Sequence, residues 1–220
     1  MGIRVLVTGT PGCGKSVIIE KLLSAEVVAD KLNIGQYARE HGFVESHNEE
    51  FDADYLNEDD LLDKLIPSLR KHTATALAVE HHSPSLFDPI EEDGDRLNGL
   101  FDLIVVLRCE PSVHYTRMET RGYDVNKMIE NNAAEVGSVC LDESERLKNA
   151  GVGVAVLELD NSTEDQLDRN VERIAATVRG IGKPKAQEKA EEEEEEYDED
   201  EDYPSSSEPE SSDDDYVESD

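Results

Sequence analysis

The chain has 220 residues, and its 53 Asp and Glu against 21 Lys and Arg give a formal net charge of -32. The charge is uneven, because residues 184–220 carry 19 acidic residues and 2 lysines, a net of -17, which leaves -15 on residues 1–183. A body this acidic argues against non-specific binding to DNA or RNA, which needs a surplus of Lys and Arg facing the phosphates. The length is that of one ordinary domain with an appendage.

The two ends of the chain have different compositions. Residues 184–220 have almost no apolar residue to offset the entropy of ordering, so we expect a disordered acidic tail after a folded domain at 1–183. The first apolar run, which contains Arg4, is too short for a signal peptide or a membrane span. Three widely spaced cysteines fit neither a zinc site nor a disulfide framework. We therefore expect a soluble, intracellular protein.

Short apolar runs alternate with helical patterns, which predicts an α/β fold with a doubly wound parallel sheet of about five strands and helices on both faces. The predicted strands are residues 3–7, 75–80, 101–107 and 152–159. The predicted helices are residues 17–23, 33–41, 57–69, 113–121, 125–147 and 162–178. Asn57 and Ser162 are the expected helix N-caps. Residues 83–99 contain two prolines, two glycines and five acidic residues, so we predict an exposed loop there.

The first predicted strand is followed by the string Gly9-Thr-Pro-Gly-Cys-Gly-Lys15-Ser16, which fits the phosphate-loop pattern G-x-x-x-x-G-K-[ST]. Glycines such as Gly12 and Gly14 let the backbone N–H groups turn toward phosphate oxygens. Lys15 would neutralise the β- and γ-phosphates, and the Ser16 hydroxyl would bind Mg²⁺. Because the string lies between a buried strand and an amphipathic helix, we predict a P-loop NTPase that binds ATP with Mg²⁺.

Residues outside the phosphate loop must decide the class of enzyme. The sequence has no N/T-K-x-D signature for reading guanine, which disfavours a GTPase. Glu80 ends the second predicted strand, where a carboxylate can organise Mg²⁺ through water. His82 follows it and is a candidate catalytic or hydrogen-bonding side chain. A helix cap or surface charge for Glu80, and a solvated loop histidine for His82, stay open as alternatives.

Phosphoryl transfer also needs cations around the transferred group. Arg117 and Arg121 lie four residues apart on one predicted helix face and, with Gly122 as hinge, predict a lid over the triphosphate. Arg108 directly follows a predicted strand and therefore emerges at the carboxyl edge of the sheet, where open α/β folds bind ligands. Arg39 is the fourth candidate. The alternative for the lid arginines is a set of exposed salt bridges.

Four stretches of the sequence occur together: Thr8 to Ser16, Asn33-Ile-Gly-Gln-Tyr-Ala-Arg-Glu40, Val105-Val-Leu-Arg108, and the spaced series Arg117, Arg121-Gly-Tyr, Lys127, Asn131 and Glu135. Together they resemble the adenylate kinase isoenzyme 6 family of small nuclear P-loop kinases and ATPases. The resemblance covers roughly residues 1–180, and the Arg-Gly-Tyr stretch with its downstream Lys, Asn and Glu is its most particular part. The family's Asp-Tyr-His-Gly motif reads Glu80-His-His-Ser83 here, Gln36 replaces a usual Asp, and Val17 replaces a common Thr.

The resemblance implies roles for individual residues. The implied ATP contacts are Gly12, Gly14, Lys15, Ser16, Val17 and Arg121. A monophosphate-binding segment is implied at about residues 33–56, where Arg39 grips AMP, and a lid at about 120–130; Arg108 is our second candidate for binding AMP. Glu80 and His82 match the acidic residue and the histidine of the family motif implicated in ATP hydrolysis. With Lys15 and Arg121 they form the predicted catalytic set.

The resemblance also implies a cellular context. We expect reversible phosphoryl transfer between ATP and AMP, together with ATP hydrolysis during small ribosomal subunit maturation and 18S rRNA processing. The implied partners are a basic ribosomal protein and the pre-ribosome, in nucleus and cytoplasm, and we expect a monomer that binds neither DNA nor membranes. The alternatives are an assembly ATPase, a nucleotide-binding scaffold with little kinase turnover, and a kinase of another small acceptor. The tail either keeps the chain soluble or, through residues 191–202, mimics a polyanion and shields the basic partner.

Overall fold

The computed structural model describes residues 2–48, 53–89 and 96–182. The acidic tail predicted at 184–220 lies outside these residues, and the domain boundary at 183 stays a prediction. The strands are β1 (Ile3–Thr8), β2 (Asp30–Asn33), β3 (Val44–Asn48), β4 (Ala53–Leu56), β5 (Ala76–Glu80), β6 (Leu103–Arg108) and β7 (Val156–Asp160). The helices are α1 (Lys15–Ser24), α2 (Ile34–His41), α3 (Glu58–Lys71), α4 (Pro111–Thr120), α5 (Val125–Val136), α6 (Val139–Asn149) and α7 (Glu164–Ile181), with a 3₁₀ helix at Pro84–Phe87.

Five strands form one parallel sheet in the order β2-β5-β1-β6-β7, which confirms the predicted doubly wound architecture. Residues Arg4 to Thr8 of β1 are all buried, as expected of a central strand covered on both faces. The chain adds β5 and β2 on one side of β1, and β6 and β7 on the other. The carboxyl end of β1 therefore lies where the strand order reverses, the usual ligand crevice of open α/β sheets.

Two apolar layers cover the sheet, because successive side chains of β1 point to opposite faces. Val5 and Val7 pack in one layer with residues of α1 and α7, including Ile18 and Ile174. Leu6 packs in the other layer with residues of α2, α3 and α6. Helices on both faces are thus confirmed. Within the described ranges, no helix has the length and apolarity needed to cross a membrane.

The structure corrects the loop predicted as exposed at 83–99. In its described part, Leu86, Phe87 and Leu97 are buried, and Phe87 packs edge-to-face on Phe101 with ring centroids 4.9 Å apart. The prolines and acidic residues suggested exposure, but three large apolar side chains insert into the core between them. This segment therefore contributes to one face of the sheet.

The N-cap of α7 also differs from the prediction. Thr163, not Ser162, caps this helix, since its hydroxyl accepts a hydrogen bond from the Gln166 N–H while the Gln166 side chain accepts from the Thr163 N–H. Ser162 instead donates its hydroxyl to Asp160. The predicted cap at Asn57 is confirmed, since its side chain accepts from the Asp60 N–H at 3.1 Å.

Gly9 is the point at which the chain leaves β1 for the phosphate loop. Its φ is +136°, and an added Cβ would lie 2.4 Å from the Leu107 carbonyl oxygen of β6. The loop therefore passes so close to the neighbouring strand that only glycine fits without moving backbone.

Gly9→Ala is expected to lower the free energy of unfolding by about 3 kcal/mol or more, because the methyl group must displace β6 as well as adopt a strained φ. Gly42→Ala is the matched control, since Gly42 also has a positive φ, +77°, but no atom within 4 Å of the added Cβ. A loss of about 1 kcal/mol is expected there. Urea denaturation followed by circular dichroism measures both; equal losses would show that the spacing between loop and strand imposes no constraint.

Candidate active site

A cavity of about 610 Å³ opens at the carboxyl ends of β1 and β5, a volume in the usual range for small-molecule sites. Nine of the ten predicted site residues line it: Gly12, Gly14, Lys15, Ser16, Val17, Arg39, Glu80, His82 and Arg121. The structure thus brings together residues from the phosphate loop, α1, α2, β5 and the turn after α4. Their individual roles in binding and catalysis stay predictions.

The phosphate loop curls over the amino end of α1. Gly12 and Gly14 have φ values of +107° and +94°, in the region that favours glycine. Gly14 is the residue immediately before α1, so the first N–H groups of the helix and its positive dipole end belong to the loop. Backbone geometry alone therefore supplies an anion site here.

Lys15 folds back onto its own loop. Its Nζ donates to the carbonyl oxygens of Gly9 at 2.6 Å and Thr10 at 3.0 Å, and its side chain is buried. Burial lowers the pKa of the ammonium, although the Glu80 carboxylate opposes this shift. A phosphate oxygen at the loop would offer Lys15 a charged acceptor in place of two neutral carbonyls, which is a stronger hydrogen bond.

Ser16 and Glu80 meet where β5 ends. Ser16 Oγ donates to Glu80 Oε1 at 2.6 Å, and Asn33 Nδ2 donates to Glu80 Oε2 at 3.0 Å. A hydroxyl beside a carboxylate offers the oxygen ligands that Mg²⁺ prefers, so the residues present fit the predicted Mg²⁺ site. The sequence analysis named Asn33 only as the first residue of the monophosphate-binding segment, without a role of its own; it also caps α2, since its Oδ1 accepts from the Gln36 N–H at 2.9 Å.

Two histidines follow Glu80. His81 is buried, and burial holds its pKa well below the usual range, with repulsion from His82 and Lys15 adding to the shift. The His82 ring is accessible to water in the cavity, yet desolvation by the surrounding cavity walls, together with the charges of Lys15 and Lys127, lowers its pKa to about 4. Both rings are therefore neutral at pH 7, and His82 can accept a hydrogen bond in the cavity.

Arg39 is held at the cavity by the β3–β4 hairpin. Its Nη1 donates to Asp54 Oδ2 at 3.0 Å, and the other carboxylate oxygen of Asp54 lies 2.8 Å from His47 Nδ1. Hydrogen bonds from His47 and Arg39 lower the pKa of the Asp54 carboxyl. The predicted monophosphate-binding segment thus presents a cation that is 60% exposed and is paired with one carboxylate, which a phosphate could replace.

The turn between α4 and α5 supplies another part of the cavity wall. Arg121 and Tyr123 line it from the turn, Lys127 and Asn131 line it from α5, and Gly122 between them has a φ of +73°. Lys127 Nζ lies 4.8 Å from the centre of the Tyr123 ring. Tyr123, Lys127 and Asn131 were not predicted as site residues. The spacing of four between Lys127 and Asn131 does indicate that they share one helix face. Closure of this predicted lid stays a prediction.

Arg108 lies outside the cavity lining, contrary to the placement expected for an AMP ligand. Its Nε donates to Glu135 Oε1 at 2.8 Å, its Nη2 to the Glu135 carbonyl oxygen at 2.8 Å, and its Nη1 to Glu158 Oε1 at 3.0 Å. The position at a strand end was right, but the side chain turns toward α5 and β7. Binding of AMP by Arg108 stays a prediction that this geometry does not support.

Two buried residues that sequence reasoning missed hold the outer side of the phosphate loop. His114 Nε2 lies 2.7 Å from the Pro11 carbonyl oxygen, and Asn161 Nδ2 donates to the Cys13 carbonyl oxygen at 2.8 Å. Asn161 Oδ1 in turn accepts from Asn170 at 3.3 Å. The two contacts with the loop each join residues more than a hundred positions apart, so no local pattern could reveal them.

Comparison with known proteins gives the family. An AAA domain model matches residues 5–137. The adenylate kinase isoenzyme 6 homolog FAP7 of Saccharomyces cerevisiae is 34% identical over 175 residues, covering 80% of this chain and 81% of its own. The homolog HBR1 of Candida albicans is 33% identical over 184 residues, covering 80% and 68%. The Caenorhabditis elegans homolog is 31% identical over 176 residues, covering 78% and 86%.

Among solved structures, shikimate kinase from Bacteroides thetaiotaomicron superposes with a TM-score of 0.47 at 12% identity, over 80% of this chain and 98% of its own, a likeness too weak to bear on activity. The parallel sheet, the phosphate loop and the cavity define the class as a P-loop NTPase. This chain belongs to the adenylate kinase isoenzyme 6 family, as its sequence motifs predicted, and is an enzyme of the kinase or ATPase class.

Acid is expected to destabilise the fold through His81. The unfolded chain binds a proton at this residue near pH 6.5 (about the free value), whereas the buried ring does so only well below its usual range. Between these two pKa values, the unfolded state therefore binds more protons than the folded state. In this pH window the free energy of unfolding falls with decreasing pH by up to about 1.4 kcal/mol per pH unit. Above the window both states are neutral and the effect vanishes.

Urea denaturation of the wild type and of His81→Gln, from pH values near neutrality down to about 5, measures this effect. The wild type should lose stability more steeply than the variant over the window. Parallel curves would show that His81 is not kept neutral by the fold.

Proposed function

We propose that the protein transfers a phosphoryl group reversibly between ATP and AMP, with Mg²⁺ on the triphosphate. One observation carries the proposal: a single cavity contains a phosphate loop at one part of its wall and, at another, Arg39 on the segment predicted to bind a monophosphate. Transfer between two phosphates requires that both be held in line, and most of the catalytic effect then comes from positioning and charge stabilisation. The family's name supports the same reaction.

Each role in the proposed transfer is assigned to particular residues of this chain. The loop N–H groups and Lys15 bind the β- and γ-phosphates, and Arg39 exchanges Asp54 for the phosphate of AMP. Ser16 would hold Mg²⁺ directly and Glu80 would do so through water, and the ion would neutralise charge on the phosphates. Arg121 reaches the cavity from the turn after α4 and would stabilise the charge on the transferred group.

Hydrolysis of ATP without an acceptor is the second activity we propose. His82 is neutral and faces the cavity two residues after Glu80, so it can accept a hydrogen bond from a water molecule that takes the place of AMP.

The ribosomal role rests on the family resemblance. We propose that hydrolysis assists small ribosomal subunit maturation and 18S rRNA processing, in nucleus and cytoplasm, with a basic ribosomal protein as partner on the pre-ribosome.

The kinase proposal predicts how three variants will change ADP production from ATP and Mg²⁺, measured with and without AMP. Lys15→Ala should abolish ADP production in both assays, because the triphosphate loses its buried cation. Arg39→Ala should lose most of the AMP-dependent rate and keep the AMP-independent rate, because only the acceptor loses its ligand. Lys21→Ala is the matched control, since Lys21 lies on α1 but pairs with Asp168 at 2.7 Å, away from the cavity lining.

The outcomes separate the alternatives. A Lys15-dependent rate that is indifferent to AMP would favour an assembly ATPase over the kinase. Retained ATP binding with no turnover in either assay would favour a nucleotide-binding scaffold. Equal losses in Lys21→Ala and Lys15→Ala would mean that the effect comes from the charge of the helix and not from the phosphate loop.

The acidic segment 191–202 predicts a salt-dependent contribution to partner binding. When its Glu and Asp residues are changed to Gln and Asn in the full-length chain, affinity for a basic small-subunit ribosomal protein should fall at low salt and differ little at high salt. Titration calorimetry at two ionic strengths measures this. Unchanged affinity at low salt would leave the segment only a solubilising role.

A further inference from the structure

We propose that Glu135 is a positioning residue for ATP binding, which acts through Thr10 to hold the phosphate loop in its binding conformation. The inference rests on the proposed ATP site at this loop, but it does not require that the bound ATP be transferred to AMP. Neither the motif that contains Glu135 nor the comparisons assign this residue a role.

Glu135 joins three separate parts of the fold beneath the loop. The residue is only 3% exposed. Its Oε2 accepts from Thr10 Oγ1 at 2.5 Å and from Cys13 Sγ at 3.4 Å, both in the phosphate loop. Its Oε1 accepts from Arg108 Nε at 2.8 Å and from the Cys109 N–H at 3.0 Å, both at the end of β6. Oε1 thus has two N–H donors and Oε2 has the Thr10 hydroxyl, so both oxygens of the buried carboxylate are hydrogen-bonded.

Thr10 connects this network to the binding surface. Its hydroxyl donates to Glu135, while its carbonyl oxygen accepts from Lys15 Nζ at 3.0 Å. The loop backbone at Thr10 is therefore fixed by two contacts. The Glu135 carboxylate holds it on the side away from the cavity, and Lys15, the residue expected to bind phosphate, holds it on the cavity side. Loss of the outer contact frees the loop backbone, and its N–H groups would then have to be ordered at the cost of binding free energy.

The same helix also reaches the cavity. Lys127, Asn131 and Glu135 are spaced by four residues and so lie along one face of α5. The first two line the cavity, and the third ends beneath the loop. Glu135 therefore fixes the position of the cavity-lining helix and of the phosphate loop relative to each other.

The charge of Glu135 is matched by its donors. Burial opposes ionisation, but the hydrogen bonds from Thr10, the Cys109 N–H and Arg108 outweigh it and hold the pKa below the usual range. Removing one partner of such a buried pair leaves the other unsatisfied, which is costly. Arg108, expected to bind AMP, acts in this account as the counter-charge that keeps Glu135 ionised.

The test compares Thr10→Val with Thr10→Ser. Valine keeps the shape and removes the hydroxyl, whereas serine keeps the hydroxyl. Affinity for ATP with Mg²⁺, measured by titration calorimetry, should fall about tenfold or more in Thr10→Val, the effect of one hydrogen bond to a charged group. It should stay within about threefold of wild type in Thr10→Ser, because the bond to Glu135 is preserved.

A double-mutant cycle assigns the effect to the pair. Glu135→Gln should also weaken ATP binding, and the double variant Thr10→Val with Glu135→Gln should bind no more weakly than Glu135→Gln alone. Glu158→Gln is the matched control: it removes the other carboxylate of Arg108, is half exposed, and does not contact the loop. ATP affinity within about twofold of wild type is expected there.

Two results would overturn the inference. One is unchanged ATP affinity in folded Thr10→Val, even with a lowered melting temperature, which would show a merely structural bond. The other is a loss of ATP affinity in the double variant that equals the product of the fold-losses in the two single variants, which would show that the two residues act independently. If the wild type binds ATP but transfers nothing to AMP, the kinase proposal fails, and these binding measurements still decide the role of Glu135. If Glu135→Gln does not fold, the threonine pair decides alone.

Discussion

The structure depends on one constraint: the phosphate loop must point its N–H groups inward and so must be held from its outer side. Glycines such as Gly12 and Gly14 permit this conformation but do not enforce it. The conformation is fixed by hydrogen bonds to buried residues of other elements. Glu135 accepts from a loop hydroxyl, and His114 and Asn161 contact loop carbonyl oxygens. Donors that are fixed before the ligand arrives need no reorganisation on binding, which is the main source of electrostatic stabilisation in enzymes.

The charge distribution adds a second constraint. The chain is strongly acidic, with a net charge of -32, yet Lys15, Arg39, Arg121 and Lys127 all line one cavity. A polyphosphate is repelled by the field of such a protein at long range, so binding must depend on short, direct contacts with cations. The ammonium of Lys15 is already desolvated before any ligand arrives, so its attraction to a phosphate is weakened less by water than that of an exposed lysine. Such a site tolerates an acidic surface.

Sequence reasoning succeeded where the signal is local. The apolar runs of β1, β5 and β6 and the phosphate-loop string predicted the sheet and the part of the cavity lining that the loop and Glu80 supply. It missed β2 and the β3–β4 hairpin, because these strands are short and polar and contain no fully buried residue, so they lack an apolar run. The direction of Arg108 was also beyond local reasoning. A side chain at a strand end can turn toward the ligand or toward its neighbours, and here the buried carboxylate of Glu135 on α5 decides.

The departure of this chain from the family's Asp-Tyr-His-Gly motif has a physical explanation in the structure. The extra methylene of Glu80, relative to the aspartate of the motif, lets one oxygen reach the Ser16 hydroxyl while the other is held by Asn33. Because Ser16 donates its proton to Glu80, the lone pairs of its oxygen are free to face a cation, so the carboxylate orients the ligand instead of competing with it. His81, in place of the tyrosine, is buried and neutral, and therefore adds no positive charge beside Lys15. The altered motif thus keeps one carboxylate beside the Ser16 hydroxyl and adds no positive charge next to it.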